Sequence, residues 1–332
     1  MPYADLVLEG GGVKGIGLAG AISVLEERGY EFKRVAGTSA GAIVGSLVAG
    51  GIPASRMTQI MRSVDYRAFQ DGDLTERFMV GKAFGLLFDQ GIYHGNYLRA
   101  WLAQQLRTVD VRTFGDLRYQ DDERPLPPEH QYRLVVMASD ISQGCLRRLP
   151  WDFDHYRRDR TRDDELVIDA VRASMSIPFF YTPVHWPSTD GHDSWLVDGG
   201  MLSNFPIDVF DAEPGRRPRW PTLGIKLSAR PDAAQGITAP ITGVASMSIA
   251  MIKTLVGFYD RMHIERQDVV DRTIFVDTGN IRATDFDLTT DSQDMLYENG
   301  REAARQFLDG TDERPAWDFN AYIAKYRTPV NV

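Results

Sequence analysis

The sequence predicts an α/β fold with a central, mostly parallel β-sheet. Two strand-then-helix units fill the first fifty residues, and such units place successive strands parallel with helices on the sheet faces. Strand patterns then continue through both halves of the chain without a clear linker between them. We therefore expect one domain over residues 1–332, with the motifs described below in about 5–210 and with 211–332 completing the same domain.

Strand and helix patterns follow one another along the chain. Short apolar runs predict strands over 5–9, 33–37, 132–141, 144–151, 195–201, 222–228 and 272–278, of which 132–141 and 144–151 read as a pair. Helical spacing predicts helices over 15–29, 40–51, 54–64, 96–109 and 292–310, the first and last ending at glycines. The helix over 15–29 has Leu18, Ile22 and Leu25 on one predicted apolar face. The helix over 40–51 consists mainly of small residues, which predicts close packing.

Composition limits the classes of function. The net charge is −9 and the pI is near 5.2, so no general excess of basic residues exists to bind a nucleic acid. Cys145 is the single cysteine, and the first residues lack the basic and apolar runs of a signal peptide. These features favour a cytoplasmic protein. The longest apolar stretch, Ile241–Tyr259, contains Lys253 and is interpreted as a core helix rather than a membrane span.

A glycine-rich loop follows the first predicted strand. Residues 10–15 read GGGVKG, which matches the G-x-G-x-x-G pattern of dinucleotide sites. Those sites also need an acidic residue at the end of the second strand, about 20 residues further on, to hold the ribose hydroxyls. The second strand runs instead into GTSAG at 37–41. The loop is therefore predicted to present its backbone N–H groups to an oxyanion rather than to a pyrophosphate.

The GTSAG segment is a G-x-S-x-G nucleophile elbow. This pattern exposes a serine, here Ser39, on a tight turn between a strand and a helix at the carboxyl end of the sheet. The glycine loop leaves the neighbouring strand at the same end. Glycines let such a loop turn its N–H groups towards a substrate oxygen that gains charge in the transition state. The predicted oxyanion hole consists of Gly10, Gly11, Gly12 and Ala40.

The serine needs a base to take its proton. Only His263 among the histidines follows a good acidic candidate in the order Ser, Asp, His, and it lies in a polar helical pattern. A surface position is favoured for it and for the other five, which are His94, His130, His155, His185 and His192. Asp198 ends an apolar strand and precedes two glycines. Because partial burial raises the basicity of a carboxylate, Asp198 is the alternative base.

Together these residues resemble the patatin-like phospholipases, of bacterial type. That family has a glycine-rich oxyanion loop, a G-x-S-x-G nucleophile and a D-G-[GA] aspartate in this order. The matching segments are GGGVKG at 10–15, GTSAG at 37–41, ASMSIPFFYTPV at 173–184, DGG at 198–200 and NFP at 204–206. The resemblance covers at least Leu6 to Pro206.

The resemblance implies a three-layer α/β/α fold and hydrolysis of the acyl esters of phospholipids or other lipids. It implies a Ser39–Asp198 dyad without histidine, an acyl-enzyme on Ser39, and neither a metal nor another cofactor. Lys14 is at the position where the family carries a basic residue beside the oxyanion loop. It is interpreted as steadying the loop or attracting a phosphate headgroup, and a solvated lysine is equally consistent with the pattern.

Two aromatic segments are candidates for lipid contact. Residues 84–88 (FGLLF) and 178–181 (PFFY, with Phe179 and Phe180) would serve as an acyl-chain pocket or as a lid that touches the membrane, and core packing is the other interpretation. Because the protein is acidic overall, we expect peripheral membrane contact through these apolar groups or through a partner. An activating partner or small molecule is left open.

Three other functions remain consistent with the motifs. An acyltransferase would use the same acyl-enzyme with an alcohol or thiol in place of water. A nucleotide-binding protein would use the 10–15 loop for phosphate, although the missing acidic residue counts against it. A lipid-binding module would have the same apolar groups without turnover.

Overall fold

The computed structural model of this chain describes residues 2–69, 71, 93–121, 123, 126–156, 159–213, 216–227, 241, 243, 247, 250 and 266–327. Within them the strands are β1 (Tyr3–Leu8), β2 (Glu31–Thr38), β3 (Leu134–Asp140), β4 (Cys145–Leu149), β5 (Val184–Pro187), β6 (Asp193–Asp198), β7 (Thr222–Lys226) and β8 (Thr273–Phe275). The helices are α1 (Gly15–Glu27), α2 (Ala40–Ala49), α3 (Ala54–Arg62), α4 (Asn96–Arg107), α5 (Val167–Ser174), α6 (Gln267–Asp271), α7 (Thr290–Asp309) and α8 (Phe319–Tyr326).

One mixed sheet organises the described part of the chain. Hydrogen bonds connect its strands in the path β5-β6-β3-β2-β1-β7-β8, and β4 pairs with β3 outside this path. Strands β3, β2, β1, β7 and β8 are parallel to one another, whereas β4 and β6 are antiparallel to β3. Every residue of β3 and β7 is buried, as is typical of parallel strands covered on both faces. The predicted α/β class with a mostly parallel sheet and flanking helices is confirmed.

The topology brings the ends of β2 and β6 together. Thr38 at the end of β2 pairs with Met137 of β3, and Asp198 at the end of β6 pairs with the next residue, Ala138. Because β4 pairs with both of these β3 residues, β2 and β6 must share the other edge of β3. They run in opposite directions, so their carboxyl ends face each other there. Residues that directly follow the two strands are therefore neighbours in space.

Helix α1 differs from its predicted one-sided pattern. All residues from Gly15 to Leu25 are buried, because α1 packs against the helices α3 and α7 and also contacts the sheet. A Cβ on Gly20 would clash with the carbonyl of Tyr297, and one on Gly300 would clash with that of Gly17. The two helices therefore touch backbone to backbone at these glycines.

Some predicted elements fall outside the described residues. The 84–88 segment is wholly outside them, and of Ile241–Tyr259 the structure describes only residues 241, 243, 247 and 250. The interpretation of 84–88 stays a prediction. Ile241 and Met247 are exposed, so the predicted core position is wrong for these two residues. In the part of the chain that the structure describes, none of the helices has the length and apolarity needed to cross a bilayer.

Candidate active site

Ser39 occupies the turn between β2 and α2 in a strained conformation. Its φ of 54° and ψ of −123° are rarely adopted by residues other than glycine. Glycines at 37 and 41 make the turn possible, because a Cβ on Gly37 would clash with the Gly41 carbonyl and one on Gly41 with the Leu8 carbonyl. The Ser39 N–H donates to Ser174 Oγ at 2.9 Å. The tight turn predicted from GTSAG is thus formed, but the predicted exposure of its serine is wrong. Ser39 is only 4% exposed, because Met175 and Asp198 lie against its hydroxyl.

Asp198 lies directly against the serine. Ser39 Oγ donates to Asp198 Oδ2 at 2.7 Å, and the Gly200 N–H donates to Asp198 Oδ1, also at 2.7 Å. The Asp198 N–H donates to the carbonyl of Ser176 at 2.9 Å, which fixes the backbone at the end of β6. Both carboxylate oxygens are therefore held, one by the hydroxyl and one by the turn that follows β6.

Burial changes the acidity of Asp198. Desolvation raises the pKa of the carboxyl to about 6, and the hydrogen bonds from Ser39 and Gly200 oppose that rise. A carboxyl group with this pKa is ionised at neutral pH and is a stronger base than an exposed aspartate. The side chain therefore has the properties that proton transfer from a serine requires.

The described histidines have other surroundings. The ring of His130 lies against Trp151 in a tilted arrangement, and the ring of His185 stacks on Trp195. The carbonyls of His94 and His155 accept hydrogen bonds. No hydrogen bond joins a histidine side chain to Ser39 in the described ranges. His263 lies outside them.

The glycine loop passes close to the serine. A Cβ on Gly10 would come within 3.1 Å of Ser39 Cβ, and the Gly10 N–H already donates to the Asn204 carbonyl at 3.2 Å. Gly12 has a φ of +57°, and a Cβ on it would clash with the carbonyl of Ala283. Of the predicted oxyanion donors, the N–H of Gly10 is thus used within the fold, which leaves those of Gly11, Gly12 and Ala40. The amide of Ala40 is at the first turn of α2, where it has no acceptor within the helix.

A buried ion pair beneath the loop was not predicted from the sequence. Glu9 directly follows β1, and its carboxylate accepts hydrogen bonds from Lys226 Nζ and from the Leu227 N–H. The side-chain amide of Asn204 donates to the Gly10 carbonyl at 3.1 Å. These contacts connect the carboxyl ends of β1 and β7 to the segment that follows Asp198. A charged residue immediately before GGG and a lysine inside the apolar run 222–228 were the available signals.

The side chain of Lys14 points from the glycine-rich loop towards the segment after β7. Its Nζ donates to the Leu227 carbonyl at 3.1 Å. Burial lowers the pKa of this lysine, with Glu9 raising it and Lys226 lowering it further. The position favours the interpretation that Lys14 steadies the loop.

Arg172 is a second residue that sequence reasoning missed. Its guanidinium is buried in α5 and donates to the carbonyls of His94 and Thr182 and to Ser176 Oγ. Ser176 in turn holds the backbone of Asp198. The arginine therefore joins the segment before α4 and the segment after Tyr181 to the backbone that holds Asp198.

An apolar cavity adjoins the serine. It begins at Met175, whose Sδ is 3.4 Å from Ser39 Oγ. Its walls are Gly12, Val13, Ala40, Ile43, Met61, Val64, Tyr66, Phe69, Trp101, Met175, Ile177, Tyr181 and Phe286. Phe180 packs beside this wall, whereas Phe179 is 40% exposed with a φ of 67°. Among the described residues, no cluster of His, Cys, Asp or Glu could hold a metal ion.

Comparisons with known proteins identify the family and the fold that this chain resembles. A family model described as patatin-like phospholipase matches residues 6–211. The uncharacterized protein YqhO of Bacillus subtilis (strain 168) is 35% identical over 309 residues, which cover 92% of this chain and 98% of YqhO. The uncharacterized NTE family protein MT1093 of Mycobacterium tuberculosis (strain CDC 1551 / Oshkosh) is 44% identical over 209 residues, covering 62% of this chain and 45% of the relative.

Two more distant proteins are also similar, one in sequence and one in structure. The human patatin-like phospholipase domain-containing protein 6 is 28% identical over 207 residues, 61% of this chain and 12% of that protein. Among solved structures, VipD from Legionella pneumophila superposes with a TM-score of 0.51 at 18% identity, covering 92% of this chain and 66% of that one. At this identity the likeness concerns the fold alone.

Proposed function

This chain belongs to the patatin-like phospholipase family, and we propose that it hydrolyses fatty-acyl esters of lipids with Ser39 as nucleophile and Asp198 as base. The observation that carries the proposal is the 2.7 Å hydrogen bond from Ser39 Oγ to the buried Asp198 carboxylate. The glycine loop and the apolar cavity on either side of that hydroxyl support it.

In the first half of the reaction, Ser39 Oγ attacks the ester carbonyl carbon as its proton passes to Asp198 Oδ2. The carbonyl π electrons move to the oxygen and form a tetrahedral oxyanion. When this intermediate collapses, the bond to the leaving alcohol breaks, and the protonated Asp198 returns the proton to the departing oxygen. The fatty acid is then esterified to Ser39.

In the second half, water attacks the acyl-enzyme. Asp198 takes a proton from the water and returns it to Ser39 Oγ when the C–O bond to the serine breaks. The fatty acid leaves and the dyad is restored. Because the pKa of Asp198 is about 6, its carboxylate is ionised and able to accept protons at neutral pH.

The N–H groups of Gly11, Gly12 and Ala40 would stabilise the oxyanion. Backbone donors that are fixed before the reaction stabilise developing charge without reorganising. The ion pair of Glu9 and Lys226 holds the base of the loop in place. The amino end of α2 adds its partial positive charge at the same point.

The surroundings of the serine favour a lipid substrate. The cavity walls beside Ser39 are almost wholly apolar, which suits an acyl chain. Phe179 is exposed on a rigid turn next to that cavity, held by hydrogen bonds from the N–H groups of Phe180 and Tyr181 to the Ile177 carbonyl. We propose that this aromatic edge makes a peripheral contact with the lipid surface, since the acidic protein has no general attraction to anionic membranes.

The direct test is release of fatty acid from mixed phospholipid vesicles and from a short-chain soluble ester. We expect wild type to release product, and Ser39→Ala and Asp198→Asn each to lose at least about 10³-fold in rate. His263→Ala serves as the control and retains the wild-type rate. Product release that survives in Ser39→Ala, or a large loss in His263→Ala, would overturn the dyad.

A further inference from the structure

A segment of the second half of the chain covers the oxyanion loop. Residues 277–289, here called the strap, connect β8 to α7. The strap carbonyl of Ala283 accepts a hydrogen bond from the Val13 N–H at 3.1 Å, directly beside Gly12. The family model ends at residue 211, so the strap is outside the region that carries the motifs.

Phe286 is the strap residue that reaches the cavity. It is 8% exposed and forms part of the cavity wall beside Gly12 and Val13. Its ring stacks on that of Phe180, with centroids 5.1 Å apart and planes 10° from parallel. The aromatic pair therefore closes the cavity between the strap and the PFFY turn.

The closed cavity is too small for a fatty-acyl chain. Its volume is about 20 Å³, which is room for about one water molecule. An acyl group attached to Ser39 thus has to displace part of the wall, since side chains packed at native density leave no spare space. The identity of the moving wall decides which chains fit.

Other parts of the wall are more firmly held than Phe286. Ile43 lies within the buried helix α2. The hydroxyl of Tyr181 donates to the Phe69 carbonyl at 3.0 Å, and that of Tyr66 to the Met61 carbonyl at 3.4 Å. Phe286 is on a segment between secondary-structure elements and has no polar atom in its side chain. Moving its ring breaks stacking on Phe180 but no side-chain hydrogen bond.

We infer that Phe286 is the gate of the acyl pocket and the residue that limits the length of the acyl chain. The inference rests on the proposed function and adds to it a specificity residue in the second half of the chain. The acyl chain displaces the Phe286 ring, while the hydrogen bond between Ala283 and Val13 keeps the oxyanion loop in place.

The test compares saturated p-nitrophenyl esters of increasing chain length in mixed micelles. We expect Phe286→Ala to move the chain length of highest kcat/KM upwards by about two carbon atoms or more. Each CH₂ that becomes buried adds about fourfold to kcat/KM, equivalent to about 0.8 kcal/mol. Phe286→Trp is expected to move the optimum towards shorter chains.

The matched control is Phe307→Ala. Phe307 is also buried and stacked, on Trp317 at 5.2 Å in α7, but does not line the cavity. We therefore expect Phe307→Ala to lower stability without changing the order of preference among the esters. The same order of preference in wild type and in both Phe286 variants would overturn the gate.

A binding measurement separates failure of the gate from failure of the proposed function. Calorimetric titration of saturated fatty acids into Ser39→Ala and into the double variant Ser39→Ala/Phe286→Ala needs no turnover. We expect affinity to stop increasing at a longer chain in the double variant. Identical dependence on chain length, or no binding of any fatty acid to either protein, would refute the gate, whereas loss of hydrolysis with this shift intact would refute only the proposed function.

Discussion

Asp198 is buried, yet the proposed mechanism needs its carboxylate to be ionised. Ionising a buried carboxyl group lowers the stability of the folded protein. Because desolvation raises its pKa from the ordinary value of 3.8 to about 6, the folded protein binds this proton more tightly than the unfolded chain does. Stability is therefore highest below the pKa of the unfolded chain and falls as the pH rises towards and past 6. The difference between the two pKa values corresponds to about 3 kcal/mol at neutral pH.

The first residue-scale prediction follows from that sign. Asp198→Asn keeps the shape of the side chain and removes the charge. The free energy of unfolding of this variant, relative to that of wild type, should therefore rise by an amount on the order of 3 kcal/mol between about pH 4 and pH 7. Urea denaturation at a series of pH values measures this difference. A difference that is constant over this range would contradict a raised pKa.

An aspartate with the opposite shift provides the control. Hydrogen bonds from the Thr113 and Arg112 backbone and the Thr113 side chain lower the pKa of Asp116, despite an opposing effect of burial. Its charge stabilises the folded state above the unfolded pKa, and that stabilisation is lost as the pH falls through the folded pKa. Asp116→Asn should therefore lose stability relative to wild type as the pH rises from the folded pKa of Asp116 to its unfolded pKa.

The turn at Ser39 and the strand end at Asp198 could be predicted because their constraints are local in the sequence. The turn at Ser39 requires small residues on both sides, and Asp198 is marked by the glycines that follow it. The pair of Glu9 and Lys226 left no such local pattern, since its members are 217 residues apart. Phe286 lies outside the region that carries the motifs. Its position beside the cavity can be recognised only from the packing of the strap in the folded protein.

At the scale of elements, the contact between α1 and α7 shows how packing exceeds what periodicity predicts. The boundaries of both helices were close to those predicted, including ends near Gly29 and at Gly310, which have φ values of +79° and +82°. The burial of α1 on every side was not predicted. Its sequence spacing contains no information about α7, which begins more than 250 residues later along the chain.

The element-scale prediction concerns the glycine at this crossing. Gly300→Ala should lower the free energy of unfolding by about 1–3 kcal/mol, because the added methyl group meets the Gly17 carbonyl and forces the helices apart. Alanine has the better helix propensity, so the loss would come from the crossing alone. Denaturation in urea measures it, with Glu298→Ala on an exposed position of α7 as the control. Unchanged or increased stability in Gly300→Ala would show that the helices do not touch at this residue.

At the scale of the molecule, the site depends on contributions from distant parts of the chain. Ser39 and Asp198, the proposed nucleophile and base, meet because β2 and β6 end against each other along β3. This order of strands could not be predicted from strand patterns, which specify where strands lie but not their partners. Strands β7 and β8 and helix α7 come from the second half and extend the same sheet and helical layer. This supports our proposal that residues 211–332 complete one domain with the motif-bearing part.

The central claim is that Ser39 is the nucleophile and is activated by Asp198. The most direct measurement is reaction with a fluorophosphonate probe at pH 8, with the modified residue located by peptide mass spectrometry. The account predicts a single adduct on Ser39, no adduct in Ser39→Ala, and labelling slowed at least about 10²-fold in Asp198→Asn. An adduct on another residue, or equal labelling rates in wild type and Asp198→Asn, would contradict it.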